Sequence, residues 1–408
     1  MSPLAVVVLV VIVDLLGFTV VMPLLAPFAR ELDLAGWRIG LLFSAYPMCQ
    51  LVAGPILGRL SDRYGRRPIL ILSQGGTALS FLMMGLAGDF TTLLLARMLD
   101  GASGGNILVA QAYVADVTTP ENRSRGLGLI GMAFGLGFVL GPLLGGLILK
   151  LPIDPYWRLR TPFLVGALFS ILALLLVIFR LPESLPKDIS SRKPTRVLTI
   201  HGLAEAFTHP TIGLLILLGF LAILGFASLE GTFSLYLRDR LGLDASQAAF
   251  CFAFLGLISA IVQGGLIRRL VPKYGEPRLF VAGFTLLVLG MTGLALARNP
   301  LAMLGAILFV AAGQGLVNPT ISGLLSRVTP ADEQGGIFGI LSSSQTLARM
   351  ISYTTANLLF ARVGPSAPFW QGSAVLAVGL ALAVFVIRRL KREAERPLQT
   401  ADAGALVA

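Results

Sequence analysis

The chain has 408 residues, 55% hydrophobic and 13% charged. Soluble proteins carry roughly 25% charged residues, so a soluble globular domain is excluded. The formal net charge of +11 does not indicate nucleic acid, because the basic residues are spread between apolar runs and not gathered on one soluble face. Two cysteines, Cys49 and Cys251, both inside apolar runs, exclude a disulfide framework.

A bilayer crossing takes about 20 apolar residues. Twelve such runs are predicted, at 4–29, 38–58, 68–88, 91–115, 126–149, 161–180, 211–237, 246–267, 279–297, 301–326, 335–361 and 368–388. The first run has no basic segment before it and its first charge is Asp14, so it is expected to be a retained span and not a cleaved signal. An even number of spans puts both termini on one side. With that side assigned to the cytoplasm, the inner loops and tail carry 21 Lys and Arg, the outer loops carry 9, and Arg97 and Arg349 lie within spans. That asymmetry predicts an inner-membrane protein with both ends cytoplasmic. Trp37, Trp157 and Trp370 then fall near outer helix ends, as interfacial anchors.

The longest inner connection, 181–210, is rich in proline and basic residues and reads as a cytoplasmic linker, with an amphipathic helix expected around His201 to Phe207. It divides the chain into a bundle over 1–180 and a second over 211–390. The polar, then alanine-rich, segment 391–408 is expected to be a disordered tail. The halves also resemble each other: Leu16-Gly17-Phe18 matches Leu224-Gly225-Phe226, Arg30 matches Arg238, Tyr64-Gly65 matches Tyr274-Gly275, and Thr119-Pro120 matches Thr329-Pro330. The offsets run from 208 to 210 residues. A half-chain repeat is the pattern of transporters whose two bundles rock about a central site.

Four stretches carry more specific information. Span 1 holds Asp14, Gly17, Pro23 and Pro27. The loop Gly58–Leu70 reads GRLSDRYGRRPIL, a set of charges that cannot lie in hydrocarbon. Span 4 contains LLLARMLDGASGG, with Arg97 and Asp100 three residues apart on one helical face. Span 5 places Gly128, Gly137, Gly141-Pro142 and Gly145-Gly146 in the spacing G-x8-G-x3-G-P-x2-G-G.

The Gly58 loop, as G-x-L-x-D-R-x-G-R-R, resembles the signature between helices 2 and 3 of the major facilitator superfamily. The span-4 stretch is similar to that family's second motif, with Asp100 in place of its usual glutamine and Ser103 at one of its glycines. The span-5 spacing resembles the motif marking proton-coupled antiporters, and span 1 resembles that of the twelve-span drug:proton antiporters. The resemblance extends to about Leu390. It implies an all-α membrane protein with twelve transmembrane helices in two pseudo-symmetric six-helix bundles. It also implies proton-coupled antiport that exports a small lipophilic, cationic or zwitterionic compound by alternating access, as in tetracycline and multidrug efflux. A sugar or metabolite exporter, or a lipid flippase, of the same fold is the alternative.

Ionisable residues within spans mark functional positions because burying their charge is costly. Asp14, Asp100 and Glu230 are the candidate proton carriers, with Arg97 as a switch beside Asp100. The candidate cargo site comprises Phe18, Tyr46, Gln50, Asn106, Phe138, Phe233, Gln263, Gln314 and Arg349, an aromatic lining with a few polar groups. Gly58, Asp62, Arg63, Gly65, Arg66, Asp116, Gly141 and Pro142 are the candidate gating residues. By resemblance, Asp62 would sit at the N-terminus of span 11 near Gly335 and Gly336, and Asp116 would pair with Arg63 or Arg66. The sequence shows no metal-ligand cluster, nucleophile elbow or phosphate loop, so no enzyme and no cofactor are expected. The expected partners are a small-molecule substrate, protons and the lipid bilayer, without nucleic acid, around a monomer.

Overall fold

A computed structural model describes residues 3–185, 210–330 and 333–405. The helix expected around His201 to Phe207 lies outside these residues. The helices are α1 Pro3–Glu31, α2 Trp37–Tyr64, α3 Arg66–Leu86, α4 Phe90–Ser103, α5 Asn106–Val117, α6 Pro120–Ile148, the single turn α7 Pro155–Arg158, and α8 Thr161–Arg180. The second half holds α9 Pro210–Leu241, α10 Ala245–Ile261, α11 Ile267–Tyr274, α12 Glu276–Leu296, α13 Pro300–Val328, α14 Gln334–Arg362 and α15 Ala367–Ala405. A π-helical turn, Val262–Leu266, joins α10 to α11 in one continuous rod.

Helix is the dictated outcome for these runs. In lipid every backbone N–H and C=O needs a partner within its own segment or a closed sheet. Ten of the helices are long and apolar enough to cross a bilayer. Two of the twelve expected spans fall short of that test: the fourth, which breaks at Gly104-Gly105 into α4 and α5, and the polar α14. α15 continues to Ala405, where the sequence predicted disorder. Lys, Glu, Arg and Ala, all good helix formers, carry it past the apolar stretch.

The repeat is visible in the helix ends. Asp89 caps α4, its Oδ1 accepting from Thr92 N at 2.9 Å, and Asn299, 210 residues on, caps α13 through Ala302 N at 2.8 Å. The hydrogen bonds from Thr92 hold the Asp89 carboxyl below its ordinary value. Gly65 and Gly275 each turn the chain between two helices at φ 105° and 77°, a region that favours glycine.

Within the first half, α1 packs on α6 and α8, α3 on α4 and α8, and α2 on α4. Within the second, α12 packs on α13 and α15, α9 on α14 and α15, and α10 on α13. The halves meet along α2 to α14, along α6 to α10, and along α1, which touches both α9 and α10. At the α2–α14 seam, Ser44 Oγ donates to Met350 O at 2.8 Å and Gly40 lies against Tyr353, Thr354 and Asn357. At the α6–α10 seam, Ser246 Oγ donates to Gly146 O at 2.9 Å and Gly256 lies against Phe138. These contacts lie towards the end of the bundle that holds Gly36 and Gly242. Towards the opposite end, Gly58, Gly128, Gly131, Gly264, Gly265, Gly335, Gly336 and Gly339 have no atom within 4 Å of where a Cβ would stand, as do Gly242, Gly305 and Gly364 at the first end.

Two glycines of the span-5 pattern are required by packing: Gly137, where a Cβ would stand 2.6 Å from Leu15 Cβ, and Gly141. Thr19 Oγ1 lies 2.7 Å from both Leu15 O and Gly137 O, pinning α1 to α6. A Cβ at Gly141 would come within 2.8 Å of Leu16 O, a backbone atom that cannot yield. Gly141→Ala is therefore expected to cost about 1–3 kcal/mol, read as a lower Tm in detergent. Gly128→Ala meets nothing within 4 Å and is expected to leave Tm unchanged or slightly raised.

Candidate functional site

Two polar clusters lie at mid-depth, one in each half. In the first, Asp14 of α1 accepts from Gln74 Nε2 of α3 at 2.8 Å and from Asn106 Nδ2 at the start of α5. The helix break at Gly104-Gly105 is what delivers Asn106. Close by, Arg97 Nη1 and Asp100 Oδ2 pair at 2.7 Å, with Arg97 fully buried and Asp100 nearly so. Arg97 Nε also donates to Leu42 O at 3.3 Å, and its guanidinium lies 4.9 Å from the Tyr46 ring centroid. Gln50 completes the group, donating to Tyr46 Oη at 3.2 Å and to Gly104 O at 3.1 Å. Gly101 makes this geometry possible, because the Tyr46 backbone occupies the space a Cβ would need.

In the second cluster Glu230 of α9 accepts from Tyr353 Oη at 2.8 Å and from Arg349 Nε at 3.4 Å, both on α14. The clusters approach across the seam through Phe43, whose ring centroid is 5.4 Å from that of Tyr353. A small cavity between α1, α6, α9 and α10 has room for about one water, 20 Å³, and is lined by Thr19, Met22, Phe138, Pro142, Phe226 and Glu230 among others. Phe18 stands beside it, its ring 5.2 Å from Tyr46 and 6.5 Å from Phe138.

The charges are unevenly compensated. Asp100 has Arg97 and Glu230 has Arg349. Among the described residues Asp14 has two amides and no cation. The other amide oxygens, Gln74 Oε1 and Asn106 Oδ1, are buried without a hydrogen-bond partner, as is Arg97 Nη2.

Several expected site residues stand apart. Phe233 is fully buried in the second half, edge-on to Phe252 at 5.5 Å, and does not line the cavity. Gln314 is buried on α13 with its amide oxygen unpartnered. Gln263 is exposed on the π-helical turn. Asn106 is engaged by Asp14. Gln74 was not among the expected residues; a glutamine within an otherwise apolar span was the available signal. Tyr353 was not among the expected site residues either, and its hydroxyl is a direct partner of Glu230.

At the junction of α2 and α3, Arg66 is the hub. It reaches Asp62 Oδ1 at 2.7 Å, Asp116 Oδ2 at 3.1 Å and Ser61 Oγ at 2.6 Å. Of the two expected partners for Asp116, Arg66 takes the place; Arg63 is exposed beside the Tyr64 ring. Glu183 accepts the backbone N–H groups of Arg66 and Arg67 at 2.8 and 3.1 Å, capping α3 with its carboxylate. The expected contact of Asp62 with span 11 is not made: Asp62 is 46% exposed, and the space at Gly335 and Gly336 is open. In the second half Glu276, 210 residues after Arg66, pairs with Arg327 at 2.9 Å. The same joint is thus kept with its polarity reversed.

Paired helical halves around a polar centre are the architecture of a membrane carrier. The chain belongs to the Major Facilitator Superfamily, whose family model matches it at residues 7–274 and again at 266–408. It is 29% identical over 383 residues to the class B tetracycline resistance protein of Escherichia coli, covering 93% of this chain and 92% of that one. To the class C protein of Escherichia coli it is 30% identical, over 94% and 95% of the two chains. Among solved structures it is similar to the human organic anion transporter MFSD10 (TETRAN), with a TM-score of 0.69, 27% identity, and coverage of 93% and 98%. It is an integral membrane transporter, a class that moves small molecules.

Proposed function

We propose that this transporter exports a small lipophilic, cationic or zwitterionic compound across the cytoplasmic membrane in exchange for protons. In this reading α4–α5 and α14 complete twelve spans, residues 1–180 and 211–390 form the two bundles, and both termini are cytoplasmic. The relatives named for tetracycline resistance support drug efflux. The observation that carries proton coupling is the setting of Asp14. It is the one carboxylate of the two clusters without a guanidinium partner, and two unpartnered amide oxygens beside it can accept its proton. Protonated, Asp14 donates to one of them. Ionised, it accepts from both amides and attracts a cationic cargo. Phe18, Tyr46, Gln50 and Phe138 supply the apolar walls and polar contacts nearest to it. Asp62, Arg66 and Asp116 then gate the inner face, engaging span 11 when that face closes.

A second reading, organic anion export, is favoured by the unpartnered Nη2 of Arg97, which offers a buried donor to a negative group. Purified protein in liposomes loaded at acid pH separates the two. Accumulation of ethidium or tetracycline that stops when a protonophore collapses the gradient is the expected result. Accumulation of fluorescein but of neither of these supports the anion reading. Gradient-independent movement of every probe overturns both.

A further inference from the structure

The first span of each half ends in the same two-residue pattern. Arg30-Glu31 closes α1, and Arg238-Asp239 lies near the end of α9, at the repeat offset of 208 residues. The two pairs meet across the α1–α9 seam. Arg30 grips Asp239 with both prongs, Nη1 to Oδ1 at 2.5 Å and Nη2 to Oδ2 at 2.7 Å. In the opposite sense, Arg238 is one of the cations acting on Glu31, together with Arg160, 3.9 Å away, and Arg158. A bidentate guanidinium–carboxylate pair is among the stronger and more directional contacts available to side chains.

The Arg30–Asp239 pair stands at a cavity of about 300 Å³, whose walls also include Ile39, Leu235, Asn357 and Phe360. That size lies at the lower end of small-molecule sites, which run from about 300 to 1,000 Å³. The walls combine apolar surface with one fixed charge of each sign, from opposing helices. Asn357 links this chamber to the centre: its Nδ2 donates to Tyr353 O at 2.9 Å and to Gly231 O at 3.3 Å, next to Glu230. The chamber therefore lies on the outer side of the Glu230 cluster, where an exported molecule would pass last.

We propose that this outer vestibule is a second binding site, taking amphoteric molecules that carry both a cationic and an anionic group, with the Arg30–Asp239 pair as its latch. The proposal rests on the export reading. Opening the outer face draws α1 from α9 and so parts a guanidinium from a carboxylate that are only 27% and 30% exposed. A simple cation replaces Arg30 at Asp239 but leaves the guanidinium unpaired, and a simple anion leaves the carboxylate unpaired. Unpaired charge in a part-buried site is what makes such separation costly. A molecule bearing both charges pairs with each side, so its arrival lowers the cost of opening.

The test reads the vestibule directly. Ile39 lines it and is 2% exposed, so Ile39→Cys in a Cys49→Ser/Cys251→Ser background reports its accessibility. The reagent is a membrane-impermeant maleimide applied outside right-side-out vesicles. Labelling is expected to rise about tenfold in Asp239→Asn and in Arg30→Gln, the loss of one charge-assisted contact. The charge swap Arg30→Asp/Asp239→Arg is expected to restore slow labelling, which a merely misfolded outer face would not do. Tetracycline, an amphoteric probe, should protect Ile39→Cys, and tetraphenylphosphonium, a permanent cation, should not. Labelling that ignores all three pair variants overturns the latch, and equal protection by both probes overturns the amphoteric site. Accumulation under a pH gradient, measured on the same vesicles, fails separately if the export reading is at fault.

Discussion

Replacing Asp14 by asparagine is expected to abolish proton-driven accumulation while leaving exchange of cargo across the membrane. One proton moving down a difference of one pH unit supplies about 1.4 kcal/mol, enough for roughly a tenfold concentration ratio. Inverted vesicles holding the unaltered protein should therefore accumulate about tenfold per pH unit and per proton, and Asp14→Asn should settle near a ratio of about one. Downhill efflux and counterflow should persist. The fold should tolerate the change, because the new amide N–H groups find Gln74 Oε1 and Asn106 Oδ1, both unpartnered in the native site. Undiminished accumulation in Asp14→Asn would remove this residue from the coupling mechanism. Loss of downhill exchange as well would assign it to cargo binding or to structure.

The second large effect concerns Arg97 and Asp100. Arg97→Met leaves the Asp100 carboxylate buried without its guanidinium, and Asp100→Leu strands the guanidinium instead. Breaking a buried pair in this way costs about 3–5 kcal/mol, whereas replacing both members with apolar groups of similar volume is often neutral. Each single variant should thus lower Tm markedly and lose transport. The double variant should recover the Tm and still not transport, if the pair serves the mechanism and not only the fold. Additive Tm losses in the double variant would show that the two charges do not depend on each other. The residual contacts of Arg97, to Leu42 O and to the Tyr46 ring, set a limit on that recovery.

Much of the fold was legible because its cause is local. Long apolar runs become helices in lipid whatever their neighbours do, and loop charges mark where they end. Asp14, Arg97, Asp100, Glu230 and Arg349 were legible for the complementary reason: an ionisable group in such a run is conspicuous. The partners of these groups were harder to read. Gln74 is a single amide in an apolar span, and nothing in its flanking residues says that it faces Asp14. Phe233 and Phe138 have the same chemistry, and only packing sends one into the core and the other to the cavity. The Asp62 contact with span 11 depends on how two helices far apart in the sequence are placed, and the local pattern around Asp62 does not encode that. Arg66 prevailed over Arg63 at Asp116 because it begins α3 and is buried, while Arg63 ends α2 and points outward.

The reversed polarity of the two inner joints has a bearing on how the chain assembles as it is synthesised. The two halves repeat one helix pattern, and the first is complete before the second emerges, the circumstance in which repeated segments exchange partners wrongly. Were the third span of one copy to dock against the fourth of the other, Arg66 would confront Arg327, and Glu276 would confront Asp116. Both meetings are repulsive, while the two correct dockings are each attractive. Discrimination between near-identical partners needs such a penalty against the wrong match as well as a reward for the right one. Exchanging Glu276 and Arg327 for the first half's arrangement would keep every native contact and erase that penalty, so its mark would be a lower yield of correctly inserted protein and not a lower Tm.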